Sequence, residues 1–156
     1  MEITIQTVRH AVGAIAYQGS KFILVHKVLN TFGKHSGVWD FPKGGVEAKD
    51  ISLEAAVIRE LAEETGTDQY VVKQQLPKQI TFSFSDETRK RIGYERQETT
   101  MFLVEFIGNA NDLKPLDSEI DEIKLVESNE LLNHLTHEET ALYIREHVGI
   151  PFRLKL

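Results

Sequence analysis

Residues Gly45–Thr67 read GVEAKDISLEAAVIRELAEETGT, and the end of that run, Arg59-Glu60-Leu61-Ala62-Glu63-Glu64-Thr65-Gly66, sets three carboxylates within five residues. Ser52 is a natural N-cap and Gly66 a natural stop, which predicts a helix over about 52–65. On that helix Glu60, Glu63 and Glu64 share one side, where like charges repel by a few tenths of a kcal/mol per pair. Such spacing ordinarily marks a solvated acidic face. Position argues otherwise here. At roughly 100° per residue, Leu53, Ala56 and Val57 set an apolar stripe, and Glu60 and Glu64 fall on its continuation. Carboxylates turned toward protein need protons, hydrogen bonds or a cation to offset their lost hydration. Clustered oxygen donors suit Mg2+ or Mn2+, so the helix is expected to carry a divalent-metal site.

Gly45, Arg59, Glu60, Leu61, Glu63, Glu64 and Gly66 resemble the signature of Nudix hydrolases, G-x5-E-x7-R-E-U-x-E-E-x-G-U, where U is aliphatic. Two positions depart from it: the first acid of the pattern falls on Ile51, and the final aliphatic position holds Thr67. Asp50 and Glu47 are the nearest acids. A loop one residue shorter after Gly45, with a helix lead one residue longer, puts Asp50 in the vacant role. The resemblance implies a mixed β-sheet sandwiched between helices, and hydrolysis of a pyrophosphate bond in a nucleoside diphosphate linked to another group. It also implies that Glu60, Glu63 and Glu64 hold the metal and that Arg59 orients a neighbouring carboxylate. Gly44 and Gly45 would let backbone approach metal or phosphate, since no Cβ stands in the way.

The likeness extends outside that segment. Phe32-Gly33-Lys34-His35-Ser36, Trp39-Asp40-Phe41-Pro42-Lys43-Gly44-Gly45 and Glu95-Arg96-Gln97-Glu98-Thr99-Thr100-Met101-Phe102-Leu103 resemble the branch containing bacterial RNA pyrophosphohydrolases and asymmetric dinucleoside tetraphosphate hydrolases. In that branch a late glutamate, in the pattern E-[FI]-x-x-x-x-W-V, completes the metal site or serves as base. Glu119-Ile120-Asp121-Glu122-Ile123-Lys124-Leu125-Val126 matches it with Leu125 in place of Trp, which makes Glu119 the fourth carboxylate. Asp117, Asp121 and Glu122 crowd the same stretch as rivals.

Composition narrows the classes. The chain has 156 residues, enough for one domain over 1–156 with a real core. It has no cysteine, which excludes disulfides, thiolate ligands and cysteine nucleophiles. Isopentenyl diphosphate isomerases share the Nudix fold but rely on a cysteine, so the resemblance points to hydrolysis. A formal charge of −6 argues against nucleic-acid binding through a global field. Any polyanion must then be met locally. No run approaches twenty apolar residues and the N-terminus does not read as a signal peptide, so a cytoplasmic protein without membrane contact is expected.

The remaining pattern predicts an α/β (α+β) domain. Strands are expected at 8–17 and 21–28 around a Gln18-Gly19-Ser20 turn, then at 38–41, 69–75, 79–85, 99–107 and 122–126. Polar loops are expected over 31–37 and 86–96, and helices at about 127–134 and 137–147. Lys43 beside the glycine pair is a candidate phosphate contact. Arg89, Arg91, Arg96 and the adjacent Lys90 could grip phosphates, and Tyr94 could stack on a base. The expected substrate is a nucleotide polyphosphate, with dinucleoside tetraphosphate first, an RNA 5′ end second and a house-cleaning nucleoside triphosphate pyrophosphatase third. The competing class is a catalytically weak nucleotide-binding module, which Ile51 favours and the three retained glutamates oppose.

Overall fold

The structure is a computed structural model that describes residues 7–31 and 34–148. Phe32, Gly33 and the first six residues, on which parts of the sequence reading fall, lie outside the described residues. The chain order is β1 (Val8–Gln18), β2 (Lys21–Thr31), β3 (Lys34–Asp40), β4 (Lys43–Gly45), α1 (Leu53–Thr65), β5 (Tyr70–Ser83), α2 (Asp86–Ile92), β6 (Arg96–Phe106), β7 (Ile120–Glu127), α3 (Leu131–His134) and α4 (Glu138–His147).

β1 organises the sheet because its residues are apolar on both faces. Val12, Ala14 and Ala16 pack with Ala56, Val57 and Leu61 of α1, together with Phe102, Val104 and Phe106 of β6. Ile15 and Tyr17 point the other way, into a second core with Leu131, Tyr143 and Ile144 from α3 and α4. Alternation along one strand thus buries two cores and sets helices on both faces. The strands form one mixed sheet in the order β3-β2-β1-β6-β5, with β4 also on β1 and β7 also on β2. β1 and β6 run parallel from Val8↔Arg96 to Tyr17↔Glu105. No helix among the described residues is long and apolar enough to cross a membrane.

Three expectations are corrected. The polar 31–37 segment is mostly strand, because β3 pairs with β2 from Val25↔Asp40 to Thr31↔Lys34 through backbone bonds that polar side chains do not forbid. The segments at 69–75 and 79–85 form a single strand whose register shifts between Gln75 and Gln79. Pro77 offers no N–H for the ladder at that break, which an edge strand tolerates. The 86–96 loop contains α2, capped by the Ser85 side chain and closed by Gly93 at φ +80°.

The site arises where β1 and β2 part. They are paired only at Tyr17↔Phe22 and Gln18↔Lys21. Farther back, β1 pairs instead with β4, from Ala11↔Gly45 to Gly13↔Lys43. The opening between β2 and the β1–β4 pair lies beside the acidic end of α1.

Candidate active site

α1 forms as its sequence predicts: Ser52 Oγ accepts the Ala55 N–H, and Gly66 ends the helix in the left-handed conformation at φ +80°. Ala56, Val57, Glu60, Leu61 and Glu64 are buried, so the stripe does continue into the two carboxylates, while Leu53 at its start is 37% exposed. Arg59 is the hub of the helix. Its Nε and Nη2 donate to the two oxygens of Asp50 at 2.8 and 2.9 Å. Nη2 also donates to the Gly45 carbonyl at 2.9 Å, and Nη1 to Glu60 Oε1 at 2.8 Å, with Glu63 at 3.3 Å. Asp50 further accepts the Glu47 N–H at 2.8 Å. These bonds, Arg59's first, hold the Asp50 carboxyl down at about 2. Ile51, at the position where the family pattern has an acid, is 94% exposed.

Glu60 and Glu64 face a cleft of about 540 Å³. A Cβ on Gly44 would lie 1.9–2.2 Å from the Glu60 carboxylate atoms, so the absence of a side chain is what admits that carboxylate. Burial raises the Glu60 carboxyl above its ordinary value, against the opposing bond from Arg59. Glu64 is 4% exposed, and burial pushes its carboxyl up to about 8. Lys27 opposes that shift, while Glu60 and Asp117 add to it. Lys27 Nζ stands 3.8 Å from Glu64 Oε1, too far to cancel the desolvation. Glu64 Oε2 is buried without any hydrogen-bond partner.

Lys27 and Arg9 line the cleft and escaped the sequence reading. Lys27 sits at a register shift between β2 and β7, and such bulges re-aim side chains. Its one linear signal is a cation closing the apolar run Phe22-Ile23-Leu24-Val25. Arg9 shares the odd-numbered face of β1 with Ile15 and Tyr17, and donates to Gln97 Oε1. Lys43, which the sequence does single out, also lines the cleft, with Nζ 3.1 Å from Asp40.

Glu63 and Glu119 lie on the cleft wall, as does Asp117, whose carboxylate accepts the Glu119 N–H at 2.9 Å. Asp121 instead meets His26 at 2.6 Å, and Glu122 does not line the cleft. Neither do Arg89, Arg91, Tyr94 or Arg96. Arg96 shares the opposite face of β6 with Glu98, to which its Nη2 donates at 3.2 Å, whereas Gln97 and Thr99 face the cleft. Arg89 leans toward Asp86 at 3.7 Å on α2, and Arg91 and Tyr94 are exposed. Among the described residues, the lysines and arginines lining the cleft are therefore Arg9, Lys27 and Lys43.

No group of three acidic or imidazole side chains among the described residues forms a closed metal cluster; Arg59 holds Glu60 and Glu63, while Lys27 faces Glu64. The donor set nevertheless fits a hard divalent cation. It is all oxygen, one buried carboxylate oxygen lacks a partner, and Gly44 leaves Glu60 its space.

The NUDIX domain model matches residues 7–147, and the chain belongs to the Nudix hydrolase family, enzymes that cleave phosphoanhydride bonds. It is 31% identical over 107 residues to the RNA pyrophosphohydrolase of a Nitratiruptor species, covering 67% of this chain and 68% of that one. It is 33% identical over 113 residues to the RNA pyrophosphohydrolase of Gluconacetobacter diazotrophicus, covering 68% and 67%. Among solved structures, the C. elegans Ap4A hydrolase binary complex superposes with a TM-score of 0.64 at 19% identity, over 88% of this chain and 93% of that one. The NUDIX domain of Shewanella oneidensis NrtR, complexed with ADP ribose, superposes at 0.66 and 19% identity, over 92% and 87%. These two structures share the mixed sheet and its flanking helices with this chain.

Proposed function

We propose that this chain is a Mg2+-dependent pyrophosphohydrolase of nucleoside polyphosphates working in the cytoplasm, with the triphosphorylated 5′ end of RNA as its first substrate and dinucleoside tetraphosphate as its second. The observation that carries the reading is buried Glu64, with an unpartnered oxygen, in a cleft that also holds Lys27, Lys43 and Arg9. The names of the curated relatives put RNA ahead of the dinucleotide, reversing the order the sequence suggests.

In this reading Glu60, Glu63, Glu64, Glu119 and the Gly45 carbonyl hold one or more divalent ions, which supply Lewis acidity toward the phosphate oxygens when bound. Arg59 fixes Glu60 and Glu63 while Asp50 fixes Arg59, so the helix presents its carboxylates in set rotamers. Lys27 and Lys43 neutralise phosphate oxygens at the mouth of the splayed strands. Glu119, exposed on the cleft wall, accepts the proton of the attacking water. Product analysis of a short 5′-triphosphorylated RNA, diadenosine tetraphosphate and ADP-ribose tests the ranking. Conversion of the RNA to a 5′ monophosphate at the highest kcat/KM supports it, and clear preference for ADP-ribose overturns it.

A further inference from the structure

The two ends of the cleft differ in chemistry. Its lysines and most of its acids gather near β2, β4 and α1, with Glu139 of α4 as a further acid on the wall, whereas Ile80 and Phe82 on β5 are the large apolar side chains lining it among the described residues. Phe82 is 40% exposed although it stands in a cleft. Its ring is backed by Phe84, edge-on at 5.1 Å and 83°, which leaves the aromatic group held but uncovered.

Strand register connects the two ends. Phe82 lies opposite Gln97 on β6, and Gln97 lies beside Arg9 on β1. The next row on the same face runs Ile80, Thr99, Ala11, Gly45 across β5, β6, β1 and β4. Arg9 donates to Gln97, whose amide donates to Thr99 Oγ1 at 3.2 Å, so the polar middle of the lane is fixed by its own bonds. A Cβ on Gly45 would come 2.7 Å from Arg9 Nη2. The guanidinium therefore lies over the glycine next to the acids.

We infer that Phe82 is the nucleobase platform of this cleft, and that Arg9 holds the phosphate-bearing link between that base and the bond that is cut. The inference rests on the nucleotide reading above and deepens it. A nucleobase offers two apolar faces that a wall of carboxylates and ammonium groups cannot cover, and Phe82 presents a matching face. From β5 to β4 is three strand steps, ~14 Å at the usual strand spacing. A nucleoside joined by one phosphate to the cut bond is too short for that span. The base stacked on Phe82 is therefore one set off from the cut bond by more than one phosphate, the far nucleoside of a dinucleoside tetraphosphate or, in a 5′-triphosphorylated RNA, a nucleotide beyond the first.

Calorimetric titration of the full chain with Mg2+ tests this, using a methylene-bridged diadenosine tetraphosphate and inorganic tripolyphosphate as probes. Phe82→Ala and Phe82→Leu should weaken the nucleotide analogue by roughly 10- to 100-fold, Leu included because it lacks a π face, and leave tripolyphosphate unchanged. Phe82→Trp should bind the analogue at least as tightly as the natural chain. Arg9→Gln should weaken both probes. Unaltered analogue binding by Phe82→Ala and Phe82→Leu, an equal loss of both probes, or no analogue binding by the natural chain overturns the platform. Turnover is read separately. A natural chain that binds through Phe82 but hydrolyses no nucleotide sinks the hydrolase reading and leaves the platform standing.

Discussion

Arg59 grips Asp50 with two nitrogens, Nε and Nη2, at 2.8 and 2.9 Å, so a carboxylate stands bonded to the arginine one residue before Ile51. Paired bonds of this kind are the most directional that arginine makes, and the same guanidinium reaches Glu60 and Glu63. Asp50→Asn should therefore raise the Mg2+ concentration needed for half-maximal activity and spare the maximal rate. A metal titration identical to that of the natural chain contradicts the substitution of Asp50 for the box acid.

The same pair has an acid signature. Asp50 is held at about 2 in the folded chain, against 3.8 ordinarily. Its lowered value contributes stability that is present in full above the ordinary value and is lost as pH falls toward 2. The stability gap between the natural chain and Asp50→Asn should be constant near neutrality and close between about pH 4 and 2. Urea midpoints at several pH values read it directly.

Glu64 runs the other way. Its folded-state carboxyl, raised to about 8 from 4.5, keeps a proton that the unfolded chain has released, so metal-free stability falls as pH rises through that window. Glu64→Gln removes the titration. Without metal the variant should be more stable than the natural chain by about 2 kcal/mol or more at pH 8, with the difference shrinking toward pH 4.5. Adding Mg2+ should stabilise the natural chain more than the variant, which has lost one of its carboxylate donors. Parallel pH profiles of the two melting temperatures contradict the assignment.

Gly44→Ala puts a methyl into the space of the Glu60 carboxylate. Moving that buried acid should cost about 1 to 3 kcal/mol of stability and lower kcat by more than tenfold, on the order of one lost electrostatic contact. Thermal melts and steady-state rates separate the two effects.

Replacing Arg89, Arg91 and Arg96 together by Ala should leave KM for either polyphosphate near its original value, because none of these side chains lines the cleft. Lys43→Ala and Arg9→Ala should raise it. In the Glu119 loop, Glu119→Gln should lower the rate and Glu122→Gln should not; the reverse pattern assigns the wrong acid.

What could be read in the linear chain follows from how local each signal is. α1, with its cap at Ser52, its stop at Gly66 and the inward turn of Glu60 and Glu64, depends on near neighbours, and it forms where the spacing predicts. β3 and α2 do not announce themselves, since one is a polar strand secured by β2 and the other a charged turn of helix between long strands. Of the cations lining the cleft, Lys43 is legible beside its glycine pair, whereas Arg9 and Lys27 required tertiary information. Arg89 and Arg91 cluster in sequence yet sit on an outer helix, while Arg9, Lys27 and Lys43 come from three strands. A bulge aims Lys27, and the alternation of β6 turns Arg96 away, neither of which composition reveals.

The most direct test of the central claim, that the carboxylates at the end of α1 form a metal-dependent hydrolytic site, is phosphate release from 5′-triphosphorylated RNA by the natural chain and by Glu64→Gln. The account predicts release by the natural chain that needs Mg2+ and stops with chelator. The variant, correctly folded by circular dichroism, should be slower by a factor on the order of a hundred or more. Release that persists in chelator, or near-normal turnover by Glu64→Gln, would contradict it.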